Sequence, residues 1–296
     1  MSTPLRIGVI SSGPAEFSTI HEACTDAGHR PVAYFYGRSL RPGGPNLDDA
    51  GEMTVSILTS VPRGMDLLLP GGMDGLARAL ESYRIDLLIV FGFAWKLPRA
   101  VLDTPRFGAV NVHVSLLPEY RGPAPLLWAI RNGDPTGGIT VHRMDEEFDT
   151  GNILAQQGGI PLVDDMSWDA YCAEAMPVVY ALLRRSLDRV VAGDAGEPQD
   201  ESRAGYAGFM EDGFDVVRWS ENARTIHHQV RTHRFMRSSG APVAEVDGAW
   251  LRLIRTSLEP ADGRRITCGD GGPLWIVESE AGDPPREVHP TGGDPG

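Results

Sequence analysis

The sequence predicts an α/β protein: an open, mostly parallel, doubly wound (Rossmann-like) sheet followed by a small carboxy-terminal β-barrel domain. Three observations lead to this fold class. Short β-branched runs alternate with helical patterns over the first 200 residues. The run Ile85–Phe91 is almost wholly apolar, as expected of a strand buried on both faces of a parallel sheet. Beyond residue 205, short runs separated by turn residues are typical of a small barrel.

The elements of the first part follow one another in a regular order. Leu5–Ser11 is a β-branched strand, and a helix from about Phe17 to Ala27 ends at Gly28. The next predicted elements are a strand over Pro31–Tyr36, a helix over Gly75–Tyr83, strands over Ile85–Phe91 and Ala109–Val114, a helix over Pro125–Asn132, a strand over Gly138–Met144 and a helix over Trp168–Ala192. The sequence of residues Asn46–Ser56 favours neither a helix nor a strand. Ligands of such sheets bind at the carboxyl ends of the strands.

The composition changes after residue 196 and divides the chain. We expect a first domain over residues 1–200, a β-rich domain over 206–278 and a disordered tail over 279–296, which is rich in Pro, Gly and acid. The elements predicted for the second domain are a helix over about Ser220–Phe235 and strands within Ala241–Val246, Trp250–Thr256, Gly263–Thr267 and Leu274–Val277.

Bulk properties narrow the class of protein. The net charge of −13 argues against broad contact with phosphate backbones. Cys24, Cys172 and Cys268 form neither a disulfide framework nor a zinc spacing, which favours a reducing compartment. No signal peptide or transmembrane run is recognised. These properties predict a cytoplasmic protein without membrane contact.

The most informative stretch is Asn111–Pro125. In a strand, residues i and i+2 point to the same face, so Asn111 and His113 should aim together at the space beyond the strand. The acidic loop Met144–Gly151 follows the next strand and can return to the same sheet edge. An amide, an imidazole and a carboxylate are suited to a carbonyl at which negative charge develops.

Other segments carry weaker signals. Ser12 and Gly13 follow the first strand, but the G-x-G-x-x-G pattern of dinucleotide loops is absent, so a plain turn is favoured; the following helix could still receive an anion. His227, His228 and His233 lack a metal-binding spacing, and we interpret them as a solvated helix face, with no metal expected. Arg121 could neutralise an acidic acceptor group or tie down its Pro/Gly loop.

A set of short motifs occurs along the chain in a characteristic order: Asn111-Val-His113, Ser115-Leu-Leu-Pro118, Tyr120-Arg-Gly122, Pro125, Gly138-Ile-Thr-Val-His142, Met144-Asp145 and Asp149-Thr-Gly151, with Trp219-Ser and Val230-Arg in the second domain. In these residues the chain resembles the folate-dependent formyltransferase family, which includes methionyl-tRNA formyltransferase and sugar N-formyltransferases. The resemblance is dense over about residues 85–160, consistent in order over about residues 1–200, and weaker after residue 205. For that second domain, the resemblance implies an oligonucleotide-binding-like (OB-like) barrel.

The resemblance further implies transfer of a formyl group from 10-formyltetrahydrofolate to an amine. Carried over residue by residue, the catalytic groups are Asn111, His113 and Asp149. The residues implied in folate binding are Phe93, Ala94, Trp95, Lys96, Leu97, Asp145, Glu146, Glu147 and Phe148. Those expected near the acceptor are Ser115, Tyr120, Arg121, Gly122, Ser12 and Gly13.

The acceptor is the least determined part of this expectation. The tRNA enzymes carry a basic loop after the second strand, whereas here Arg38 and Arg41 are followed by acidic residues. With the net charge of −13, this favours a small-molecule amine, such as an aminosugar or an amino-acid derivative, over methionyl-tRNA. The locally basic helix Arg224–Arg237 keeps the tRNA alternative open. A catalytically silent folate-binding relative is a third alternative, and a homodimer is possible.

Overall fold

A computed structural model describes residues 3–11, 13–40, 56–236 and 240–285. Two compact units are present. The first comprises Met1–Leu126, Thr136–Pro161 and Asp169–Gly208, and the second comprises Leu127–Pro135, Leu162–Trp168 and the chain from Phe209 onward. Two short segments from the region predicted as the first domain therefore belong to the second unit.

The first unit is built on a seven-stranded sheet of order β3-β2-β1-β4-β5-β6-β7. Strands β1 to β5 pair in parallel, whereas β6 and β7 are antiparallel to their neighbours. This confirms the predicted open, mostly parallel sheet. The strand bounds are β1 Arg6–Ser11, β2 Arg30–Tyr36, β3 Asp66–Leu68, β4 Leu87–Phe91, β5 Ala109–His113, β6 Thr136–Arg143 and β7 Ile153–Pro161.

The helices of the first unit are α1 Pro14–Asp26, α2 Met73–Ser82, α3 Arg99–Leu102 and, apart from its first residue, α5 Trp168–Val191. Helix α4, Pro125–Asn132, belongs to the second unit from Leu127 onward. Strand β4 is buried along its whole length, as its unbroken apolar sequence predicts. In one core cluster, Leu76 and Leu80 of α2 lie among strand residues such as Leu88 and Val90. Burial of these side chains fixes the sheet edge that carries the site.

Among the described residues of the first unit, β3, α3 and β7 are elements that the sequence patterns do not predict. The first two are short, with three and four residues. Strand β7 reads Ile-Leu-Ala-Gln-Gln-Gly-Gly-Ile-Pro and lacks a β-branched, alternating pattern. It forms because its backbone pairs with β6 over almost the full length of both strands.

The second unit contains helix α6 (Ala223–Met236) and a four-stranded antiparallel sheet of order β10-β11-β9-β8, which curls into a half-barrel. The strands are β8 Val243–Val246, β9 Ala249–Ser257, β10 Arg264–Thr267 and β11 Pro273–Ala281. Ile226 and Val230 of α6 belong to the same buried cluster as Leu253 and Leu274 of the sheet. This agrees with the predicted β-rich second domain.

The strand β11 corrects the predicted start of the tail. It continues to Ala281, three residues into the segment predicted as disordered from residue 279. Ser279, Glu280 and Ala281 pair with Leu253, Arg252 and Leu251 of β9, so backbone pairing outweighs their polar composition. Residues 286–296 of that segment lie outside the described residues. Within the described ranges, no helix combines the length and apolar character that crossing a bilayer requires.

Candidate active site

The predicted catalytic residues meet at the carboxyl end of β5. Asn111 and His113 stand two positions apart on this strand, beside β4 in a parallel ladder in which Asn111 pairs with Val90. Both side chains are largely buried, with 8% and 5% of their residue surface exposed. Asp149 reaches them from the loop between β6 and β7 because β6 is the next strand along the sheet. The three residues therefore meet, although β6 runs antiparallel to β5 and its own carboxyl end, at Arg143, pairs with Val110 near the amino end of β5.

The three groups are in direct contact. Asn111 Nδ2 donates a hydrogen bond to Asp149 Oδ1 at 3.1 Å, and His113 Nδ1 lies 3.5 Å from Asp149 Oδ2. The Gly122 amide donates to Asp149 Oδ2 at 2.7 Å. His113 Nε2 lies 2.8 Å from the carbonyl oxygen of Tyr120. Because a carbonyl can only accept, that ring nitrogen carries a proton and Nδ1 is the one free to exchange a proton.

Electrostatics assign different states to the carboxylate and the imidazole. Burial would raise the pKa of Asp149, but the His113 and His142 imidazoles and the Gly122 amide together lower it to about 2. Burial lowers the pKa of His113 below its usual 6.5, although Asp149 opposes this shift. Near neutral pH the site thus combines a charged carboxylate with an uncharged imidazole that can act as a base.

His142 joins this cluster and was not among the predicted catalytic residues. Its Nε2 lies 3.2 Å from Asn111 Nδ2 and 3.3 Å from Asp149 Oδ1, and its Nδ1 lies 2.7 Å from the Arg143 carbonyl oxygen. The antiparallel register of β5 and β6 pairs Asn111 directly with His142. The strand pattern of β6 was predicted from sequence, but its antiparallel direction was not, and this direction brings the two residues together.

A cavity of about 140 Å³ opens beside these residues. Asn111, His113 and Asp149 line it. So do eight of the nine residues implied in folate binding: Phe93, Ala94, Trp95, Lys96, Leu97, Asp145, Glu147 and Phe148. Glu146 is not among the lining residues; its carboxylate is exposed and lies 3.9 Å from Arg99. Lys96 Nζ donates a hydrogen bond to the Glu147 carboxylate at 2.7 Å and lies 5.4 Å from the centroid of the Phe148 ring. These contacts link two of the segments that line the cavity.

Of the residues expected near the acceptor, Gly122 lines the cavity, whereas the others have different positions. Ser115 is buried and its hydroxyl donates to the Glu119 carbonyl at 2.6 Å, which stabilises the turn after β5. Tyr120 adopts a positive φ of 58° and presents its carbonyl to His113. The Ser115 hydroxyl and the Tyr120 carbonyl therefore act within the loop.

Arg121 is buried and bound within the first unit. Its guanidinium donates to Gln199 Oε1 at 2.8 and 3.1 Å and to the Glu201 carboxylate at 2.7 and 2.9 Å. Of the two roles considered for this arginine, the geometry matches the one in which it ties down the loop. Gln199 and Glu201 were missed because nothing in a polar linker sequence indicates that it folds back onto the site.

A carboxyl group of the chain itself lies at the amino end of α1. Gly13 is the N-cap, and the carboxyl group of Glu16 lies so close that a Cβ added to Gly13 would be 2.4 Å from its Oε2. Glu16 is buried, and this burial raises the pKa of its carboxyl group. The binding of an anion at this helix end stays a prediction, and the Glu16 carboxyl group lies beside Gly13 at that end. Ser12 lies outside the described residues.

The helix histidines correct another interpretation. His227, His228 and His233 of α6 are buried, so they do not form a solvated face. His227 Nδ1 lies 3.0 Å from Thr256 Oγ1, and His233 Nε2 lies 2.9 Å from the Phe214 carbonyl. Arg231 is also buried, with its Nε 3.2 Å from Asp164. Among the described residues, no group of three or more His, Cys, Asp or Glu is arranged to hold a metal ion.

Curated relatives of the chain are methionyl-tRNA formyltransferases. The enzyme of Citrifermentans bemidjiense is 35% identical over 63% of this chain and 59% of its own length. That of Pelobacter propionicus is 32% identical over 78% of this chain and 79% of its own length. The chain thus spans less than two thirds of the first of these relatives.

Solved structures share the fold. A HypX variant from Aquifex aeolicus has a TM-score of 0.64 at 20% identity and covers 94% of this chain and 46% of that chain. The N-formyltransferase of Helicobacter canadensis, in complex with folinic acid and dTDP-3-aminofucose, has a TM-score of 0.64 at 16% identity and covers 92% of this chain and 99% of that chain. The formyl transferase family model matches residues 5–167, a range that contains every predicted catalytic residue. This chain therefore belongs to the formyl transferase family.

Proposed function

We propose that this protein transfers a formyl group from 10-formyltetrahydrofolate to the amine of a small molecule. The observation that carries the proposal is the contact of Asn111, His113 and Asp149 at the wall of one cavity. Each of these residue types has a defined use in acyl transfer to nitrogen: an N–H donor, a proton carrier and a fixed negative charge.

The reaction balances as a transfer of one carbon group. A bond forms between the acceptor nitrogen and the formyl carbon, and the bond between that carbon and N10 of the folate breaks. The acceptor nitrogen loses one proton, and the folate nitrogen gains one. Nδ1 of uncharged His113 can take up the proton, since the resulting imidazolium is stabilised by Asp149 and by the Tyr120 carbonyl. Negative charge that develops on the formyl oxygen can be stabilised by the amide of Asn111 and this imidazolium.

The cavity lining fits a folate in its chemistry. Phe93, Trp95 and Phe148 offer aromatic surfaces, and Asp145 and Glu147 offer acceptors for the N–H groups of a pterin. The same cavity reaches the catalytic residues, so the formyl group would be presented to Asn111 and His113. The folate contributes the activated formyl group, and the protein contributes orientation and proton transfer.

For the acceptor, the charge distribution supports a small amine. The net charge is −13, and the basic helix α6 has two of its cations engaged within the second unit. Arg231 pairs with Asp164, and Arg234 lies 3.2 Å from Asp165. A tRNA-binding surface needs cations free to neutralise phosphates. Arg41 and Arg237 lie outside the described residues.

Methionyl-tRNA is the second candidate acceptor because curated relatives at 32–35% identity carry that activity in their names. The two candidates are separated by one assay. The protein is incubated with 10-formyltetrahydrofolate and, in parallel, with aminosugars, nucleotide-linked aminosugars, ornithine derivatives and methionyl-tRNA. Formation of tetrahydrofolate is followed by absorbance and the formylated product by mass spectrometry.

Turnover with a small amine that is lost in His113→Ala would support the proposal. Turnover with methionyl-tRNA alone would identify methionyl-tRNA as the acceptor in place of a small molecule, and the proposal of formyl transfer would stand. Absence of product from every acceptor, with the protein shown to be folded by circular dichroism, would contradict the proposal.

A further inference from the structure

The segment after the long helix α5 folds back onto the turn that carries Asp149. Gln199 Nε2 donates to the carbonyl oxygen of Asp149 at 2.7 Å and to that of Gly151 at 2.8 Å. One side-chain amide therefore holds the carbonyl groups of the two residues that flank Thr150. The contact lies entirely within the first unit.

Gln199 is itself oriented by Arg121. Two nitrogens of this guanidinium donate to Gln199 Oε1, which fixes which end of the amide faces the turn. The guanidinium is held in turn by Glu201 through a two-pronged ion pair. Because Arg121 is buried and its donor groups form a rigid fork, Gln199 has little freedom to rotate.

The turn requires an external support of this kind. Asp149 has a φ of +56°, in the left-handed region that non-glycine residues adopt rarely. In this conformation its carboxylate reaches Asn111, the Gly122 amide and His113 at 3.1, 2.7 and 3.5 Å. A relaxed backbone at Asp149 would move the carboxylate away from those groups.

We propose that Gln199 is a positioning residue for formyl transfer: it holds the Asp149 turn so that the carboxylate meets His113. Gln199 does not line the cavity and acts only through Asp149. The kinetic test of this inference rests on the proposed function. The second test, a titration of His113, does not depend on that function.

The kinetic test uses Gln199→Met, which keeps the size of the side chain and removes both donors. We expect kcat to fall about 10- to 100-fold, because a small misplacement of a catalytic group lowers the rate by amounts of this order. The KM for the folate should change little. The same substitution in an Asp149→Asn background should cause little further loss, since the group being positioned has changed. Arg203→Gln is the control, because this exposed arginine on the same segment pairs with Glu119 at the surface. Wild-type kcat in Gln199→Met, or equal losses in both backgrounds, would overturn the inference.

The second test measures the titration of His113 by NMR with labelled histidine, assigned by comparison with His113→Gln. Asp149 and His142 are the titratable groups that face this ring. Gln199→Met changes no charge, so a carboxylate moved away from His113 should lower its pKa in the direction seen with Asp149→Asn. An unchanged titration would overturn the inference. A lowered pKa in a protein that formylates no amine would uphold the positioning role and reject the proposed function instead.

Discussion

Asp149 is the residue on which the candidate site depends most. It accepts hydrogen bonds from the Asn111 side chain and the Gly122 amide and lies beside two imidazoles. These neighbours outweigh the cost of its burial and hold its pKa at about 2. A buried charge with this many partners acts as a fixed point against which Asn111 and His113 are oriented.

The roles of Asn111 and His113 can be tested by truncation. Asn111→Ala removes an N–H donor from the formyl oxygen, and His113→Ala removes the proton carrier. We expect each to lower kcat about 10²–10³-fold, the usual effect of losing one such group. Steady-state kinetics with the identified acceptor measure this effect, with Arg203→Gln as the surface control. Near-wild-type turnover in either variant would contradict the assigned role.

The pH dependence follows from the shifted pKa of His113. Activity needs the uncharged ring, so kcat/KM should rise with pH through the His113 pKa, which burial keeps below 6.5. Asp149 raises that pKa, so Asp149→Asn should move the acidic limb to lower pH as well as lower the plateau. The pH profile of kcat/KM for the folate is measured at a saturating concentration of acceptor, so that protonation of the acceptor amine does not determine the acidic limb. A limb that moves to higher pH in Asp149→Asn would contradict this reasoning.

Among the elements, the turn after β5 has an exacting geometry. Gly122 has a φ of +109°, and a Cβ there would lie 2.7 Å from the Tyr206 ring and 2.9 Å from the Ala207 carbonyl. Its amide also donates to Asp149. The segment Gly205–Ala207 is hydrogen-bonded alongside this turn and leaves no room for a side chain.

Gly122→Ala should therefore affect both stability and catalysis. We expect a loss of about 1–3 kcal/mol in the free energy of unfolding, from backbone strain and the steric conflict. We also expect a fall in kcat because the Gly122 amide moves away from Asp149. Urea unfolding and kinetics measure the two effects. Gly71→Ala is the control, since a Cβ there meets no atom within 4 Å.

In the second unit, helix α6 depends on one carboxylate. Asp164 faces Arg231 Nε at 3.2 Å and His227 Nε2 at 3.4 Å, and both of these side chains are buried. Asp164→Ala would remove the paired carboxylate from the buried guanidinium, which keeps its contacts with the Leu162 carbonyl and His228 Nδ1. We expect a cost of about 1–3 kcal/mol in unfolding free energy, reduced from the value for a fully buried pair because Asp164 is exposed. Asp165→Ala, which affects the half-exposed Arg234, should cost less. Equal costs would contradict the argument.

For the whole molecule, charge bears on the choice of acceptor. The net charge of −13 repels a polyanion, and Arg231 of the basic helix is internal to its own unit. We expect no tight binding of initiator tRNA in a gel-shift titration at low salt. Binding that is tight and weakens steeply with added salt would show that phosphates are neutralised and would favour the tRNA acceptor.

Local patterns determined much of the architecture. The apolar run of β4 and the alternation of strands and helices predicted the parallel sheet, because burial on both faces requires continuous apolar sequence. The i and i+2 spacing of Asn111 and His113 predicted a shared face, because strand geometry repeats every two residues. The resemblance to formyltransferases, carried by residues close together in the chain, is confirmed by the family match.

Other features depended on contacts between residues far apart in the chain, and only the tertiary structure decided them. The antiparallel register of β5 and β6 brings His142 to Asn111. Strand β7 exists through backbone pairing, and the histidines of α6 are buried by neighbours that no local pattern specifies. Gln199 reaches Asp149 from 50 residues away. Sequence by itself thus determined which residues share an element and a face, because these follow from local periodicity, whereas folding of distant segments decided which groups orient the carboxylate of Asp149.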